Sequence, residues 1–246
     1  MIVMRDKTAA IIVIGNEILS GKVVDTNAVF LAQELRGIGV TLKRILVIPD
    51  ELDAIADAVR TYSQQFDIVF TSGGVGPTHD DISIEGIARG LGLRVIRHPQ
   101  LEQLMREHIP GELNSALLKM AEVPEGATLT VGGQMNFPTV SVDNVFILPG
   151  IPELLRDKFL AVKERFVVDP YYLRVVYLNA VESSIAPYLN ETLAAYPELL
   201  MGSYPKLNHP EYSVRVTLES KDRDYLERGF ADLMTRLPRE MVVRTE

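Results

Sequence analysis

A glycine-rich segment with two adjacent aspartates carries the strongest chemical signal in the sequence. It reads Thr-Ser-Gly-Gly-Val-Gly-Pro-Thr-His-Asp-Asp-Ile-Ser over residues 71–83, between a predicted strand and a predicted helix. Glycines allow a ligand to approach the backbone closely, and the N–H groups that begin a helix favour an anion. Asp80 and Asp81 would repel a bare phosphate, unless a divalent cation binds between carboxylate and phosphate. The segment therefore predicts a site for phosphate with Mg²⁺ or Mn²⁺; the alternative is a plain turn in which Asp81 only caps the helix.

Two further segments place carboxylates directly after predicted strands. Glu17 follows the first strand in Gly-Asn-Glu, and Asp50 follows the second. Each has a plain alternative, as has Asp25-Thr26-Asn27, because Asn is common in turns and Asp in helix caps. In a doubly wound sheet the carboxyl ends of these strands lie at one edge. The sequence then predicts an acidic metal-binding cleft formed by Asp50, Asp80, Asp81 and Glu17.

Other polar residues carry weaker signals. Lys119 lies on a predicted helix, where it either meets a substrate or is simply solvated. The four histidines lack the spacing of metal ligands, which argues against zinc. Ser72 has no histidine at a recognisable spacing, which argues against a serine hydrolase. The absence of cysteine excludes a cysteine nucleophile, a thiolate zinc site and a disulfide scaffold.

The elements that must position these residues alternate along the first two-thirds of the chain. Short, nearly continuous apolar strands are predicted at residues 9–14, 42–48, 67–71 and 145–148. Helical patterns are predicted at residues 27–36, 52–62, 82–91, 101–108, 113–121 and 152–165, and 128–138 is a loop or short hairpin. This alternation predicts an α/β fold with a doubly wound, mostly parallel sheet covered on both faces, whose ligands bind at the carboxyl ends of the strands.

In the last third of the chain the order of predicted strands and helices changes, which predicts a second, smaller domain. Its elements follow the order βαββαβ, which is the ferredoxin-like α+β pattern. The strands are predicted at 173–178, 199–204, 212–219 and 241–244, and the helices at 183–196 and 224–237. The pattern breaks near residues 167–171, so the predicted domains are 1–168 and 169–246.

Length and net charge argue against several classes of protein and partner. The 246 residues carry 25 Lys and Arg against 33 Asp and Glu, so 25 − 33 gives a net charge of −8. That balance argues against a nucleic-acid partner bound mainly through phosphates, although not against a small phosphate ligand. The apolar run at 9–14 is too short for a signal peptide or a membrane span. We expect a cytoplasmic protein without a membrane partner, forming a homo-oligomer and binding a small molecule.

Several quoted segments together resemble one known family. The resemblance is to the MoCF domain, the molybdopterin-binding domain of molybdenum cofactor biosynthesis. It is carried by GNEILSG at 15–21, DTN at 25–27, PDE at 49–51 and TSGGVGPTHDDIS at 71–83. Three further segments resemble the N-terminal region of CinA proteins and the MoCF-like region of FAD synthases: LLKMAEVPEGA, NFPTV and VFILPGIPELL. The chain thus resembles a stand-alone form of that region. The resemblance covers residues 9–165 and extends through the small C-terminal part. Where many relatives have Gly-Asp-Glu, Asn16 replaces the aspartate and removes one carboxylate.

The resemblance implies a reaction as well as a fold. In the CinA-like branch it implies metal-dependent cleavage of a pyrophosphate, with ADP-ribose or FAD giving AMP. The expected cofactor is Mg²⁺, Mn²⁺ or Co²⁺, held by Asp50, Asp80 and Asp81 with Glu17 as a further catalytic residue. The expected substrate-binding residues are Gly15, Asn16, Asn27, Ser72, Gly73, Gly74, Gly76, Pro77, Thr78 and Lys119. In particular, the N–H groups of the three loop glycines would bind phosphate.

Two alternatives belong to other functional classes. The first is a molybdopterin-binding protein of molybdenum cofactor biosynthesis, which binds or adenylylates the pterin. The second is a regulatory binding module with a degenerate site, which the Asn16 departure favours and the Asp80-Asp81 pair disfavours.

Overall fold

The computed structural model describes residues 6–134 and 137–246. Residues 1–5 and 135–136 lie outside the described residues, and with them part of the N-terminal segment and of the predicted hairpin at 128–138. The chain divides between Val168 and Asp169 into two compact units, each with its own sheet and core.

The first unit alternates strands and helices. Its strands are β1 (Thr8–Ile14), β2 (Thr41–Ile48), β3 (Ile68–Ser72), β4 (Val95–Arg97), β5 (Glu122–Pro124), β6 (Thr128–Thr130), β7 (Thr139–Val142) and β8 (Val145–Leu148). Its helices are α1 (Asn16–Leu19), α2 (Asn27–Gly37), α3 (Leu52–Gln65), α4 (Ser83–Leu91), α5 (Pro99–His108), α6 (Ser115–Lys119) and α7 (Pro152–Val162).

The central sheet has the order β2-β1-β3-β8-β7-β6. The first four of these strands run parallel, whereas β7 and β6 continue the sheet antiparallel. The chain passes from β1 to β2 on one side and then to β3 on the other, so the strand order reverses at β1. Ligands of open α/β sheets bind outside the carboxyl ends of the strands at such a point.

Helices cover both faces of this sheet. Ile11 of β1 packs into one core together with Leu31 of α2 and Phe159 of α7. The next residue, Ile12, packs into the opposite core with Ile55 of α3 and Ile87 of α4. A strand buried on both sides has to be apolar at every position, as β1 is. The prediction of a doubly wound, mostly parallel sheet is confirmed.

The middle of the unit differs from its predicted elements. β4 and β5 form a separate two-stranded antiparallel ladder, which the sequence analysis did not predict. Helix α6 is shorter than the predicted helix at 113–121. Its first turn is capped by Asn114, whose side chain accepts a hydrogen bond of 2.9 Å from the N–H of Leu117. The helix therefore begins only after Asn114.

The second unit has the ferredoxin-like order β9 (Tyr172–Leu178), α8 (Glu182–Ala195), β10 (Leu200–Pro205), β11 (Val214–Ser220), α9 (Arg223–Arg236) and β12 (Val242–Thr245). Its sheet is antiparallel with the order β10-β11-β9-β12. Val176 and Val216 of the sheet pack with Ile185 of α8 and Leu226 of α9. The predicted small α+β domain is confirmed.

No helix among the described residues combines the length and the apolar character needed to cross a membrane.

Candidate active site

Loops after three neighbouring strands meet at the carboxyl edge of the central sheet. The N–H of Gly15 donates to the carbonyl oxygen of Ile48 at the end of β2, over 3.1 Å. The N–H of Asn16 donates to Oδ2 of Asp50 over 2.8 Å, which ties the loop after β1 to the loop after β2. The structure thus brings together the strand ends that the sequence analysis expected to converge.

An acidic depression lies between these loops. Glu17, Asp50 and Asp80 line it together with Asn16, Ser20 and Lys22. The carboxylate of Glu17 also folds back over Gly15, where a Cβ atom would overlap with it. The depression therefore combines side chains from the loops after β1, β2 and β3, and Asp80 is the contribution of the glycine-rich loop.

The side chain of Asp80 favours its ionised form. Hydrogen bonding from the Thr78 side chain and from the backbone N–H of Asp80 holds the pKa of Asp80 below its usual value, and the charges of His79 and Lys119 act in the same direction. Asp80 therefore presents a carboxylate at neutral pH, the form that binds a cation.

Asp81 does not join Asp50 and Asp80 in one cluster. Its Oδ2 accepts hydrogen bonds from the N–H of Thr78, over 2.8 Å, and from the Thr78 hydroxyl. Among the residues described, no group of three or more His, Asp or Glu side chains is arranged to hold a metal ion. Asp81 closes the turn of its own loop, and its part in holding a cation stays a prediction.

The remaining donors still fit a hard cation. Mg²⁺ is usually bound by one or two protein carboxylates together with water and substrate phosphates, so a full protein cage is not required. Asp50 and Asp80 supply two carboxylates in the depression, and Glu17 supplies a third nearby. With oxygen donors and no thiolate, the donor set suits Mg²⁺ or Mn²⁺.

The glycine-rich loop passes close to β1 and to the start of α4. Gly73 has a φ of +105°, and a Cβ atom there would overlap with the carbonyl oxygen of Ile14. Gly74 has a φ of +66°, and its carbonyl oxygen accepts from the N–H of Ser83 over 3.0 Å. These two positions require glycine because the backbone is left-handed and packed against its neighbours.

Only part of the loop has N–H groups available for a ligand. The N–H of Gly73 donates to the carbonyl oxygen of Leu148 over 3.2 Å, which continues the pairing of β3 with β8. This corrects the expectation that Gly73 binds phosphate through its N–H. For Gly74 and Gly76, by contrast, no acceptor lies within hydrogen-bond distance in the described part of the chain, and Pro77 has no N–H to offer.

Asn27 and Ser72 form buried hydrogen bonds at the base of the glycine-rich loop. The Asn27 amide is 7% exposed, and its Nδ2 donates to the Ser72 hydroxyl over 3.1 Å and to the carbonyl oxygen of Gly150 over 2.7 Å. Ser72 is 2% exposed. Through these hydrogen bonds both residues join α2, β3 and the loop after β8, and their direct contact with a substrate stays a prediction. Asp25 caps α2, since its Oδ1 accepts from the N–H of Asn27 over 2.9 Å.

The Asn27→Ala variant is expected to lower the free energy of unfolding by about 1–3 kcal/mol, because it removes the hydrogen bonds that the buried Asn27 amide donates to Ser72 and Gly150. Urea denaturation followed by circular dichroism measures the change. Val29→Ala, on the same helix but exposed, serves as the control and should change the free energy by less than about 0.5 kcal/mol. Equal stabilities of Asn27→Ala and the wild-type chain would contradict the supporting role.

Lys119 approaches the glycine-rich loop from α6. Its Nζ donates to the carbonyl oxygen of Thr78 over 3.2 Å and lies 3.9 Å from Oε1 of Glu85. The structure therefore places the predicted lysine beside the loop rather than in open solvent.

A mostly apolar cavity of about 220 Å³ adjoins the loop and was missed by the sequence analysis. Its lining includes Val75, Leu101, Phe137, Glu85 and Lys158. Lys158 is 7% exposed, and its Nζ donates to the carbonyl oxygen of Phe137 and, over 3.1 Å, to Asp157. Apolar residues that line a cavity have the same sequence pattern as core residues, so spacing alone gives no signal for it.

Comparison with known proteins assigns both units to known families. Residues 10–167 match the model described as "Probable molybdopterin binding domain", and residues 170–246 match "FAD synthase, middle domain". A protein of Archaeoglobus fulgidus is 35% identical over 89% of this chain and 93% of its own length. A probable FAD synthase of Caenorhabditis briggsae is 31% identical over 90% of this chain. The chain spans about half of that relative, 48% of its length.

A solved structure supports the same assignment. The CinA protein of Thermoplasma acidophilum superimposes with a TM-score of 0.60 at 32% identity, covering 66% of this chain and 99% of that one. The resemblance to MoCF and CinA proteins is thereby confirmed. The chain belongs to the family of probable molybdopterin binding domains, here followed by an FAD synthase middle domain.

Proposed function

We propose that this chain is a divalent-metal-dependent hydrolase that cleaves the pyrophosphate bond of ADP-ribose or FAD and releases AMP. One observation carries the proposal: the carboxylates of Glu17, Asp50 and Asp80 line a single depression. Asp80 belongs to the same loop as Gly74 and Gly76, whose N–H groups meet no acceptor among the described residues. Carboxylates alone would repel a pyrophosphate, whereas carboxylates beside backbone donors suit a pyrophosphate that enters with a cation.

In this proposal the carboxylates bind the cation and the backbone N–H groups of the loop bind the substrate phosphate. Asp50 and Asp80 would hold Mg²⁺, Mn²⁺ or Co²⁺, with Glu17 nearby. When bound, such an ion polarises a phosphoryl oxygen and lowers the pKa of water. The N–H groups of Gly74 and Gly76 orient the phosphate and stabilise the negative charge that develops on it.

The reaction balances as a hydrolysis. The oxygen of a water molecule forms a bond to one phosphorus of the pyrophosphate, and the bond from that phosphorus to the bridging oxygen breaks. The bridging oxygen leaves with the electron pair on the other phosphate, and the protons of the water pass to carboxylate oxygens and solvent. Glu17 lines the depression and can accept one of these protons.

Release of AMP is the first test. The purified chain with Mg²⁺, Mn²⁺ or Co²⁺ should convert ADP-ribose or FAD into AMP and the second phosphate, as measured by chromatography. A chelator should abolish the reaction. If no AMP forms with any of these metals, the proposed activity is wrong.

The second candidate is molybdopterin binding or adenylyl transfer. The description of the matching family over residues 10–167 favours it. Transfer from ATP would release pyrophosphate and form an adenylylated pterin instead of AMP from FAD. Mass spectrometry of the products therefore separates the two candidates.

Three further expectations belong to the proposal. The net charge of −8 supports a small-molecule ligand rather than nucleic acid. Action in the cytoplasm and assembly as a homo-oligomer remain expectations, and sedimentation of the purified chain measures the second of them.

A further inference from the structure

Lys22 brings a basic side chain to the acidic depression that Glu17, Asp50 and Asp80 line. The depression measures about 570 Å³, within the roughly 300–1,000 Å³ of small-molecule pockets, so it has room for more than a hydrated cation. Its lining holds no other lysine and no arginine among the residues that the structure describes. Lys22 is therefore the lining group whose charge is suited to direct contact with an anion.

The backbone fixes where Lys22 lies. After α1 the chain turns at Gly21, whose φ of +71° is left-handed. The N–H of Gly21 donates to the carbonyl oxygen of Ile18 over 3.0 Å, and the N–H of Lys22 donates to the carbonyl oxygen of Glu17 over 2.9 Å. These two hydrogen bonds form the Schellman motif that ends many helices. The motif holds the Lys22 backbone against that of Glu17, so both residues reach the depression from the same turn.

In the part of the chain that the structure describes, the Lys22 ammonium has no protein partner. Its Nζ forms neither a hydrogen bond nor an ion pair, although three carboxylates line the same depression. Two of these carboxylates already accept from their own loops, Asp50 from the N–H of Asn16 and Asp80 from the Thr78 side chain. The ammonium is therefore free to meet a ligand.

The charge of the depression indicates what Lys22 adds to it. Three carboxylates outweigh one divalent cation by one negative charge, and this excess repels a pyrophosphate. The positive charge of Lys22 removes the excess. A lysine ammonium is a compact charge on a flexible four-carbon stem, which lets it follow a phosphate while the bond to the bridging oxygen lengthens.

We infer that Lys22 is a further substrate-binding residue, whose ammonium contacts the phosphate oxygens of a pyrophosphate that enters with the cation. This inference rests on the proposed function and adds one role to it: Lys22 offsets the charge of the phosphate that leaves with the bridging oxygen. The contact is a charge-assisted hydrogen bond, which strengthens as negative charge develops on the leaving phosphate.

The contact can be measured by binding alone, without turnover. The probe is the methylene analogue of ADP, in which a carbon atom replaces the bridging oxygen, so that the diphosphate cannot be hydrolysed. Isothermal titration calorimetry with Mg²⁺ should detect its binding to the wild-type chain. Lys22→Met should weaken the binding about tenfold, because a hydrogen bond between charged groups is lost. Lys22→Arg keeps the charge and should stay within about threefold of the wild-type affinity.

Lys43→Met is the matched control. Lys43 is also exposed but lies on β2, outside the lining of the depression, so its loss should change the affinity by less than about twofold. Thermal unfolding checks that each variant is folded. The inference is overturned if the wild-type chain does not bind the probe, if Lys22→Met binds it as tightly as the wild-type chain, if Lys43→Met loses as much affinity, or if Lys22→Arg binds no better than Lys22→Met.

The role of Lys22 and the proposed hydrolysis can fail separately. Release of AMP at the wild-type rate by Lys22→Met would reject the role of Lys22 alone. Binding of the probe that depends on Lys22, without release of AMP from FAD or ADP-ribose, would reject the hydrolysis alone.

Discussion

The Asp80→Asn variant is expected to release AMP at least about a hundredfold more slowly than the wild-type chain. The substitution removes a negative charge from the acidic depression while keeping the shape of the side chain. A loss of about 3 kcal/mol of transition-state stabilisation, typical of a damaged metal site, corresponds to that factor. Initial rates with saturating Mn²⁺ and FAD measure the effect.

Two comparison variants show whether the loss comes from the site. Asp57→Asn lies on the exposed surface of α3, where the carboxylate pairs with Arg60, and should keep the full rate. Asp81→Asn should lower both the rate and the thermal midpoint, because Asp81 holds Thr78 in the loop. Asp80 is exposed, so Asp80→Asn should leave the thermal midpoint nearly unchanged. If Asp80→Asn retains more than a tenth of the rate, Asp80 does not hold the cation.

The Gly73→Ala variant is expected to lose about 2–5 kcal/mol of stability, from left-handed backbone strain and from overlap with Ile14. Such a loss lowers the thermal midpoint of a chain of this length by at least about 4 °C. Circular dichroism is the suitable probe because the chain contains no tryptophan. Release of AMP should fall as well, since Gly74 and the rest of the loop would shift with Gly73.

The Gly92→Ala variant measures the cost of backbone strain without steric overlap, for comparison with Gly73→Ala. Gly92 ends α4 with a φ of +71°, and a Cβ atom there would meet no other atom within 4 Å. That variant should therefore lose only the strain, about 1–2 kcal/mol. Equal losses in the two variants would show that the contact between the loop and Ile14 contributes nothing.

The main elements of the fold could be predicted because their signals are local. β1, β3 and β8 are short apolar runs, and the helices between them repeat apolar residues on one face. β4 and β5 could not be predicted in the same way. Each has three residues, and their pairing joins positions that are far apart in the sequence. Pairing of that kind depends on tertiary contacts rather than on local pattern.

The candidate site was predictable as a location but not in its details. Strand ends and glycines identified the edge of the sheet at which the three loops meet. Burial then separated the polar residues: Asn27 and Ser72 lie beneath the loop, whereas Asp80 lies at its surface. Asn and Ser occur in both settings, so their residue types could not distinguish support from contact.

The most direct test follows the oxygen of the attacking water. FAD is incubated with the wild-type chain in water enriched in oxygen-18, with Mn²⁺ or with a chelator, and both phosphate products are weighed by mass spectrometry. We predict metal-dependent formation of AMP and FMN, with one heavy oxygen incorporated per turnover into one of the two products. Absence of AMP with the metal, or equal formation of AMP in the presence of the chelator, would contradict metal-dependent hydrolysis at this site.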